Sequence, residues 1–295
     1  MVVLLKRTLG EKVFNVFNII FMILLGLVTV YPIWHVLMAS FSDSGELMRH
    51  SGMVIKPAGF SFKAYELVFK TPMIATGYMN TVIILLGGVS LSMAITILTA
   101  YVLSRDNLYG KRIILFFIVF TMYFSGGLIP FYFTVKDLGL SDTLWALIIP
   151  GCLNTFNFII MRTYFEAIPK SLEESAKIDG ASHFVVLLKI IVPLSMPVIA
   201  VVTLYYSVGI WNSWFNAMIF IRDKTLQPLQ IVLRDILIQN DTSSLTTGAG
   251  DVGMEFISET LKYATIVVAT VPILVIYPFL QKYFAKGVMI GAVKG

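Results

Sequence analysis

Six stretches of this chain contain no lysine, arginine, aspartate or glutamate over 19 residues or more. A helix needs about 20 predominantly apolar residues to cross the hydrocarbon core of a bilayer, so each stretch is long enough for one transmembrane helix. The pattern predicts an all-α polytopic membrane protein with six transmembrane helices in one domain of residues 1–295. The predicted spans are 13–42, 71–104, 113–135, 143–161, 190–221 and 263–281.

The composition excludes the soluble classes of protein. The 295 residues are 57% hydrophobic and 13% charged, with a mean hydropathy of +0.84. A soluble domain is about 25% charged, and a disordered chain is poor in apolar residues. The first stretch follows Lys6, Arg7 and Lys12, as a secretory signal would, but its apolar run is about twice the usual length for one. An uncleaved first helix is the favoured interpretation.

The distribution of charge between the predicted spans predicts the orientation. With the N-terminus inside, the inside segments carry 13 Lys/Arg against 6 acidic residues, and the outside segments carry 9 against 11. Basic residues are enriched in cytoplasmic loops, so both termini are predicted to be cytoplasmic. The basic excess therefore reflects topology, and no nucleic-acid partner is expected.

The predicted spans carry no acidic or basic side chain besides His35, which is expected to face a neighbouring helix or the interface. Ion-coupled transporters usually keep charged groups in the membrane, so secondary transport and voltage sensing are disfavoured. A phosphate-binding loop is absent, since Gly110-Lys111 continues with Arg112, and no catalytic motif is visible. The lone Cys152 is expected to be a packing residue. Any uphill transport must therefore draw energy from a partner.

Uncharged polar and aromatic residues within the spans are candidates for a substrate path. Amides inside lipid commonly form hydrogen bonds between helices, and Trp and Tyr commonly anchor spans at the interface. Sugar rings also stack on aromatic faces, and their hydroxyls pair with amides, so a polyol path is the functional alternative. Both interpretations stay open at this point. The candidates are Asn80, Asn154, Asn157, Tyr205, Trp211, Asn212 and Trp214.

The loop 166–189 is predicted to be a cytoplasmic helix–turn–helix hairpin. Ser171 and Glu174 have the spacing of a capping box, which begins a helix, and Pro169 just before them interrupts the preceding span. Gly180 can adopt the left-handed conformation that ends a helix, and Ser182 can cap the next one. Such a hairpin is either a docking element for a soluble partner or a solvated connector.

The same loop resembles the EAA motif of ABC importer permeases. Residues 174–180 read E-S-A-K-I-D-G and residues 190–193 read I-I-V-P. The family pattern is E-A-A-x-x-x-G, followed nine residues later by I-x-L-P. Ser175 and Val192 depart from it, and both replacements are conservative in a knob of small, packed residues.

The resemblance extends over nearly the whole chain and is closest to the carbohydrate branch, of the maltose-permease type. It implies the type I ABC importer permease fold with six spans. One further segment, Y-F-S-G-G-L-I-P at 123–130, resembles a subgroup that carries larger, polysaccharide-derived oligosaccharides. The other matching segments are Asn80-Thr81, A-Y-V-L-S-R at 100–105, W-N at 211–212 and G-V-M-I-G-A-V-K-G at 287–295.

The resemblance implies a permease subunit in the bacterial cytoplasmic (inner) membrane. It would belong to an ATP-driven, binding-protein-dependent importer of sugars, and the residues leave open whether these are neutral or acidic oligosaccharides. The implied partners are a homologous second permease, two ATP-binding subunits, an extracytoplasmic sugar-binding protein and membrane lipid. The chain itself is then no enzyme and binds no cofactor, because ATP and Mg are used by the partner ATPase.

The resemblance also assigns residues to roles. The external loop 222–262 is expected to contact the binding protein, the alternative being a free solvated loop. The expected binding-protein contacts are Thr247, Gly248, Gly250 and Asp251. The expected ATPase-docking residues are Glu174, Ser175, Ala176, Asp179 and Gly180 in the hairpin, with Ala292, Val293 and Lys294 in the tail.

Three alternatives to a sugar permease remain. A self-sufficient channel or secondary transporter would transport without partners, and a membrane enzyme or receptor would need a catalytic constellation. Importers of amino acids or phosphate share the EAA loop, so another solute is the alternative within the same class.

Overall fold

The computed structural model describes residues 8–106, 108–238 and 259–275. These residues form helices and connecting turns, with no β-strand among them. The tail residues Ala292, Val293 and Lys294 and the loop residues Thr247, Gly248, Gly250 and Asp251 lie outside the described residues. The chain divides into two compact units. The first comprises the described residues up to Thr71 and those between Ile236 and Thr270, and the second is built mainly from Pro72–Asp235.

The first unit is built on α1, a helix of 32 residues at Leu9–Ser40. It begins with a capping box, in which the Glu11 backbone N–H donates to Thr8 Oγ1 and the Thr8 N–H donates to Glu11. The short helices α2 (Ser44–Arg49) and α3 (Lys63–Lys70) follow. His35 packs edge-on against Tyr263, which lies on the helix at 259–275, labelled α15. The expectation that His35 faces a neighbouring helix is confirmed.

The second unit is organised around α4, a helix of 33 residues at Pro72–Ser104 that packs against α8 and α12. The fully buried side chains of Phe158, Met161 and Phe165 line the α8 side of this core. The remaining helices are α5 (Lys111–Tyr123), α6 (Leu128–Asp137), α7 (Trp145–Ile148), α8 (Thr155–Glu166), α9 (Lys170–Ile178), α10 (His183–Val186), α11 (Val192–Leu194), α12 (Met196–Trp211), α13 (Phe215–Phe220) and α14 (Leu229–Ile238).

Three of the predicted spans are interrupted. The stretch 113–135 is divided between α5 and α6, and the chain bends by 117° between them, where Gly127 has φ = +90°. The stretch 190–221 bends by 84° at Ser195, between α11 and α12. The stretch 143–161 is divided between α7 and α8. The described residues thus contain two helices that are long and apolar enough to cross a membrane, α1 and α4, and four candidate spans if each bent pair counts as one.

Candidate functional site

The 166–189 hairpin is centred on α9, and its start differs from the predicted one. The helix begins at Lys170, directly after Pro169, and no side chain caps its N-terminus. Ser171 therefore lies in the second position of the helix and cannot serve as its N-cap. The predicted capping box of Ser171 and Glu174 is wrong.

The end of α9 agrees with the prediction. Gly180 has φ = +82°, the left-handed conformation that glycine adopts without strain. Its N–H donates to the Lys177 carbonyl at 3.0 Å, and the next N–H, of Ala181, donates to the Ala176 carbonyl at 2.9 Å. This pair of bonds defines a Schellman motif, which satisfies carbonyls at the helix end. Ser182 Oγ then caps α10 by accepting from the Val185 N–H, as predicted.

A buried carboxylate holds α9 in place. The side chain of Glu173 is only 7% exposed, and its Oε2 lies 2.6 Å from Nη1 of Arg105. The Tyr101 hydroxyl donates to Glu173 Oε1 at 3.2 Å, and Lys177 Nζ lies 3.1 Å from the same oxygen. His183 Nδ1 is 3.8 Å away. A buried charge is tolerated only when it is paired and hydrogen-bonded, and these groups, called the clamp below, satisfy Glu173 fully.

The charges in the clamp favour the ionised form of Glu173. Burial alone would raise the pKa of this carboxyl, but the hydrogen bond from Lys177 and the charges of Arg105 and Lys177 outweigh burial. The pKa of Glu173 is therefore held below its ordinary value of 4.5. The carboxylate stays negative at neutral pH, so the attraction to Arg105 persists under ordinary conditions.

A second set of ion pairs surrounds the clamp. Asp106 pairs with Lys170 at the start of α9, and the hydrogen bond from Lys170 is the main reason that the pKa of Asp106 is lowered. Lys111 lies 3.6 Å from Asp106 and 3.4 Å from Glu166, which also pairs with Arg162. Exposed pairs contribute little one by one. Together with the clamp they join α9 to the ends of α4, α5 and α8.

The predicted docking residues lie on the other side of α9. Glu174, Ser175, Asp179 and Gly180 are exposed, whereas Ala176 is half-buried and packs against the core of the second unit. The same surface carries Ile178, which is 86% exposed. This surface is suited to contact another protein, because it combines an exposed apolar side chain with charged and small groups. Buried charges also hold the helix that carries it in place.

Glu173 and Arg105 were not among the residues predicted from the sequence. Glu173 and Lys177 are spaced i, i+4, a spacing that pairs opposite charges on one helix face. That spacing gave a local reason to consider Glu173. Its long-range partners Tyr101 and Arg105 lie in the A-Y-V-L-S-R segment, which marks the family resemblance but does not by itself predict a contact with α9.

A cavity of about 130 Å³ lies within the second unit, between α4, α7, α12 and the start of α14. Trp211 lines it and is 5% exposed, and the indole Nε1–H is buried without a hydrogen-bond acceptor among the described residues. Ser92, Ser213 and Asn216 also line the cavity. Among the seven predicted substrate-path residues, Trp211 is the one that the structure places on this cavity.

Asn80 and its neighbour Thr81 hold a connecting segment against α4. The Asn80 amide donates to the carbonyls of Thr225 and Gln227 at 2.8 and 3.1 Å. Thr81 Oγ1 accepts from the Leu229 N–H at 2.9 Å, at the start of α14. Both amide hydrogens of Asn80 are thereby engaged with backbone, which is the structural alternative left open by the sequence.

Asn154 and Asn157 lie at the start of α8. Asn154 is its N-cap, and its Oδ1 accepts from the Asn157 N–H at 3.0 Å. The Asn154 N–H donates to the Tyr206 hydroxyl, which is also hydrogen-bonded to Thr96 Oγ1 at 2.8 Å. Tyr206, which was not among the predicted site residues, therefore joins α4, α8 and α12 through one buried hydroxyl.

The remaining candidates are more exposed. Asn212 caps the end of α12 and donates to a carbonyl of its own helix at 2.9 Å. Tyr205 is exposed on the same helix, next to buried Tyr206. Trp214 is also exposed, and the guanidinium of Arg234 lies 5.3 Å from its ring centroid, within cation–π distance. These three residues do not line the cavity at Trp211.

Comparison with known proteins identifies the class. The model of the binding-protein-dependent transport system inner membrane component family matches residues 92–290. The chain belongs to this family of transport permeases, so the resemblance seen in the sequence is confirmed. The family is one of permeases and not of ATPases, in agreement with the expectation that this chain is no enzyme.

Individual relatives are similar to this chain over nearly their full lengths. Protein LplC of Bacillus subtilis is 43% identical over 99% of this chain and 98% of its own. The polygalacturonan/rhamnogalacturonan transport system permease protein YtcP, of the same organism, is 42% identical over 97% of this chain and 99% of its own. The crystal structure of a bacterial ABC transporter involved in the import of the acidic polysaccharide alginate contains a chain with a TM-score of 0.87 and 32% identity, covering 95% of this chain and 99% of that one. The all-helical fold is therefore that of an ABC importer permease.

Proposed function

We propose that this chain is a transmembrane subunit of an ATP-driven, binding-protein-dependent importer that carries oligosaccharides into the bacterial cytoplasm. The observation that carries the proposal is the family match over residues 92–290. It is supported by the full-length similarity to a permease named for polygalacturonan and rhamnogalacturonan and to a chain of an alginate importer. Polysaccharide-derived, acidic oligosaccharides are the favoured substrates.

The proposed topology has six spans within residues 1–295 and both termini in the cytoplasm. The charge distribution supports it, since 13 of the 22 Lys/Arg residues lie in the proposed inside segments. Each bent helix pair then forms one crossing, because irregular backbone is tolerated at membrane depth when it is enclosed by protein. The 166–189 hairpin is on the cytoplasmic side and the loop 222–262 is external.

The proposed partners are a homologous second permease, two ATP-binding subunits and an extracytoplasmic sugar-binding protein. ATP and Mg are bound by the ATPases, and this chain binds no cofactor. The exposed face of the hairpin, with Glu174, Ser175, Asp179 and Gly180, docks on an ATPase. Ala176 packs beneath that face, and the tail residues Ala292, Val293 and Lys294 complete the contact. Thr247, Gly248, Gly250 and Asp251 contact the binding protein.

The proposed sugar path is entered beside the external end of α12. Trp211 offers an indole N–H that no protein group accepts in the described part of the chain. Trp214 offers an aromatic face, and Arg234 beside it provides a positive charge that suits a uronic-acid carboxylate. Asn80, Asn154, Asn157, Tyr205 and Asn212 shape this region mainly through the packing of helices.

Reconstitution tests the proposal. The complete complex is placed in liposomes with ATP on the side of the ATPases, and the cognate binding protein on the other side is loaded with oligogalacturonides or malto-oligosaccharides. We expect uptake that requires both ATP and the binding protein, with oligogalacturonides carried faster. Uptake by this chain alone, or uptake driven by an ion gradient without ATP, would contradict the proposal.

Docking has its own test. Glu174→Lys reverses a charge on the exposed face of α9, and we expect it to reduce co-purification of the ATPase about tenfold, the lower range for a charge pair at an interface. Glu66→Lys, the same charge reversal at an exposed glutamate of α3, is the matched control. Normal co-purification of the Glu174→Lys variant would refute docking through this face.

A further inference from the structure

The 166–189 hairpin is attached to a helix that is distant from it in the sequence. The clamp joins Glu173 of α9 to Tyr101 and Arg105, at the end of α4 and about 70 positions earlier. The helices that flank α9 in sequence are α8 and α10. A movement of α9 is therefore transmitted to α4 by side chains as well as to its neighbours by backbone.

The contact between Glu173 and Arg105 is the strongest link in this attachment. Their charged atoms are 2.6 Å apart, and both side chains are largely removed from solvent. Arg105 also lies over the Tyr101 ring, 4.9 Å from its centroid. The other two nitrogens of the Arg105 guanidinium, Nε and Nη2, are buried without a hydrogen-bond acceptor among the described residues. Glu173 is thus the acidic side chain that neutralises Arg105, and its removal leaves a buried charge uncompensated.

At the opposite end, α4 holds the segment that leads to α14. A continuous helix of 33 residues is about 50 Å long. Near its start, Asn80 and Thr81 bind the backbone of Thr225, Gln227 and Leu229. Between the two ends, α4 is one continuous helix that packs against α8 and α12. The same helix therefore contacts both the hairpin and the segment 224–229.

We infer that the Glu173–Arg105 pair is the joint through which the hairpin moves α4, so that displacement by the ATPases reaches the external segment 224–229 as a movement of one helix. This inference rests on the proposed function, in which the hairpin docks on an ATPase and 224–229 lies outside. Glu173 and Arg105 act as positioning residues: they touch neither ATP nor sugar, and they determine how much ATP is spent for each sugar carried.

The test separates coupling from folding. Glu173→Gln is nearly isosteric and keeps an acceptor for Tyr101 while removing the charge that pairs with Arg105. In the reconstituted complex, we expect sugar uptake to fall about tenfold while ATP hydrolysis changes less than about twofold, within the usual range of coupling between sites. Arg105→Lys, which keeps the charge, should recover most of the coupling that Arg105→Gln loses. Glu66→Gln is the matched control for a glutamate outside the clamp.

A merely structural role for Glu173 predicts a different result. Uptake and ATP hydrolysis would then fall together, in proportion to the amount of assembled complex measured by co-purification. A ratio of ATP hydrolysed to sugar carried that stays at the wild-type value in Glu173→Gln would overturn the inference. A wild-type complex that imports none of the probe oligosaccharides would instead count against the proposed function.

A second measurement needs no sugar. A cysteine introduced at Lys224, in a Cys152→Ser background, carries a fluorescent dye that reports the surroundings of the external segment. We expect addition of ATP to the complete complex to change the dye emission with wild-type Glu173 and to leave it constant with Glu173→Gln. An ATP-induced change that survives in the variant, or that is missing with wild-type Glu173, would overturn the inference.

Discussion

Gly77 and Gly209 provide a test of how closely the helices of the second unit approach each other. Both are helical glycines, so replacement by alanine favours each helix by about 1 kcal/mol. A Cβ at Gly77 would lie 3.2 Å from Cα and 3.3 Å from N of Leu229, both backbone atoms. A Cβ at Gly209 would have no heavy atom within 4 Å. Both replacements therefore gain helix propensity, and only Gly77→Ala introduces a steric clash.

The strain at Gly77 outweighs the gain. Leu229 is held by the hydrogen bond from its N–H to Thr81 Oγ1, and this hydroxyl donates in turn to the Gly77 carbonyl at 2.8 Å. A Cβ at Gly77 has to push α14 away by a few tenths of an ångström and stretch these bonds. Overpacking of this kind costs about 1–3 kcal/mol. We expect Gly77→Ala to destabilise the protein by about 1 kcal/mol and Gly209→Ala to stabilise it by about 1 kcal/mol.

Thermal unfolding of the purified protein in detergent measures the difference. For a chain of this size, 1 kcal/mol corresponds to about 2–4 °C in the midpoint. We expect a midpoint lowered by about that amount for Gly77→Ala and raised by about that amount for Gly209→Ala. Equal shifts of the same sign for the two variants would refute the close approach of α4 to Leu229.

Three further expectations concern the polar contacts. Tyr206→Phe removes a buried hydroxyl with two hydrogen bonds and should cost about 1–3 kcal/mol of stability, whereas Tyr123→Phe, at an exposed site, should cost almost nothing in the same melt. Because the pKa of Glu173 is lowered, the stability that it contributes is present above about pH 4.5 and is lost as the pH falls through its folded-state pKa. The protection of 170–178 against hydrogen exchange, measured relative to the intrinsic rate at each pH, should fall there. Glu173→Gln should reduce that pH dependence, and the Asp106–Lys170 pair accounts for the remainder. Gly180→Ala forces alanine into the left-handed region, at about 1–2 kcal/mol, and should weaken ATPase co-purification more than Gly180→Asn does.

The distribution of charge along the sequence predicted the class of protein and could not predict where its helices break. A count of charged residues is insensitive to Gly127 and Ser195, where the predicted spans 113–135 and 190–221 bend. Proline alone does not predict a break either, since Pro32 lies within the continuous helix α1. Neighbouring helices and side chains re-satisfy the backbone groups freed at such positions. At Gly127 the break coincides with a positive φ that glycine adopts without strain, and at Ser195 it lies at a fully buried side chain.

In the hairpin, a single position along α9 separates a buried glutamate from an exposed one. Glu173 and Glu174 are adjacent and chemically identical, and successive residues on a helix point about 100° apart. The prediction began the helix with Ser171 as its cap, whereas α9 begins at Lys170. The glutamate that turns inward is determined by Tyr101 and Arg105 at the end of α4, and that contact is invisible in the local pattern.

The polar residues within the spans need to be sorted by what already binds them. A polar group enclosed at membrane depth requires a partner, and Asn80, Asn154 and Tyr206 have found theirs in backbone and side-chain groups of the same unit. A density of amides and aromatic residues is therefore explained first by helix packing. Trp211 differs, because its N–H is buried at a cavity and lacks an acceptor among the described residues. An unsatisfied donor of this kind costs about 1–3 kcal/mol, a cost that a hydroxyl entering the cavity would remove. Substitutions aimed at sugar binding should therefore begin at Trp211, where loss of the N–H donor breaks no hydrogen bond among the described residues.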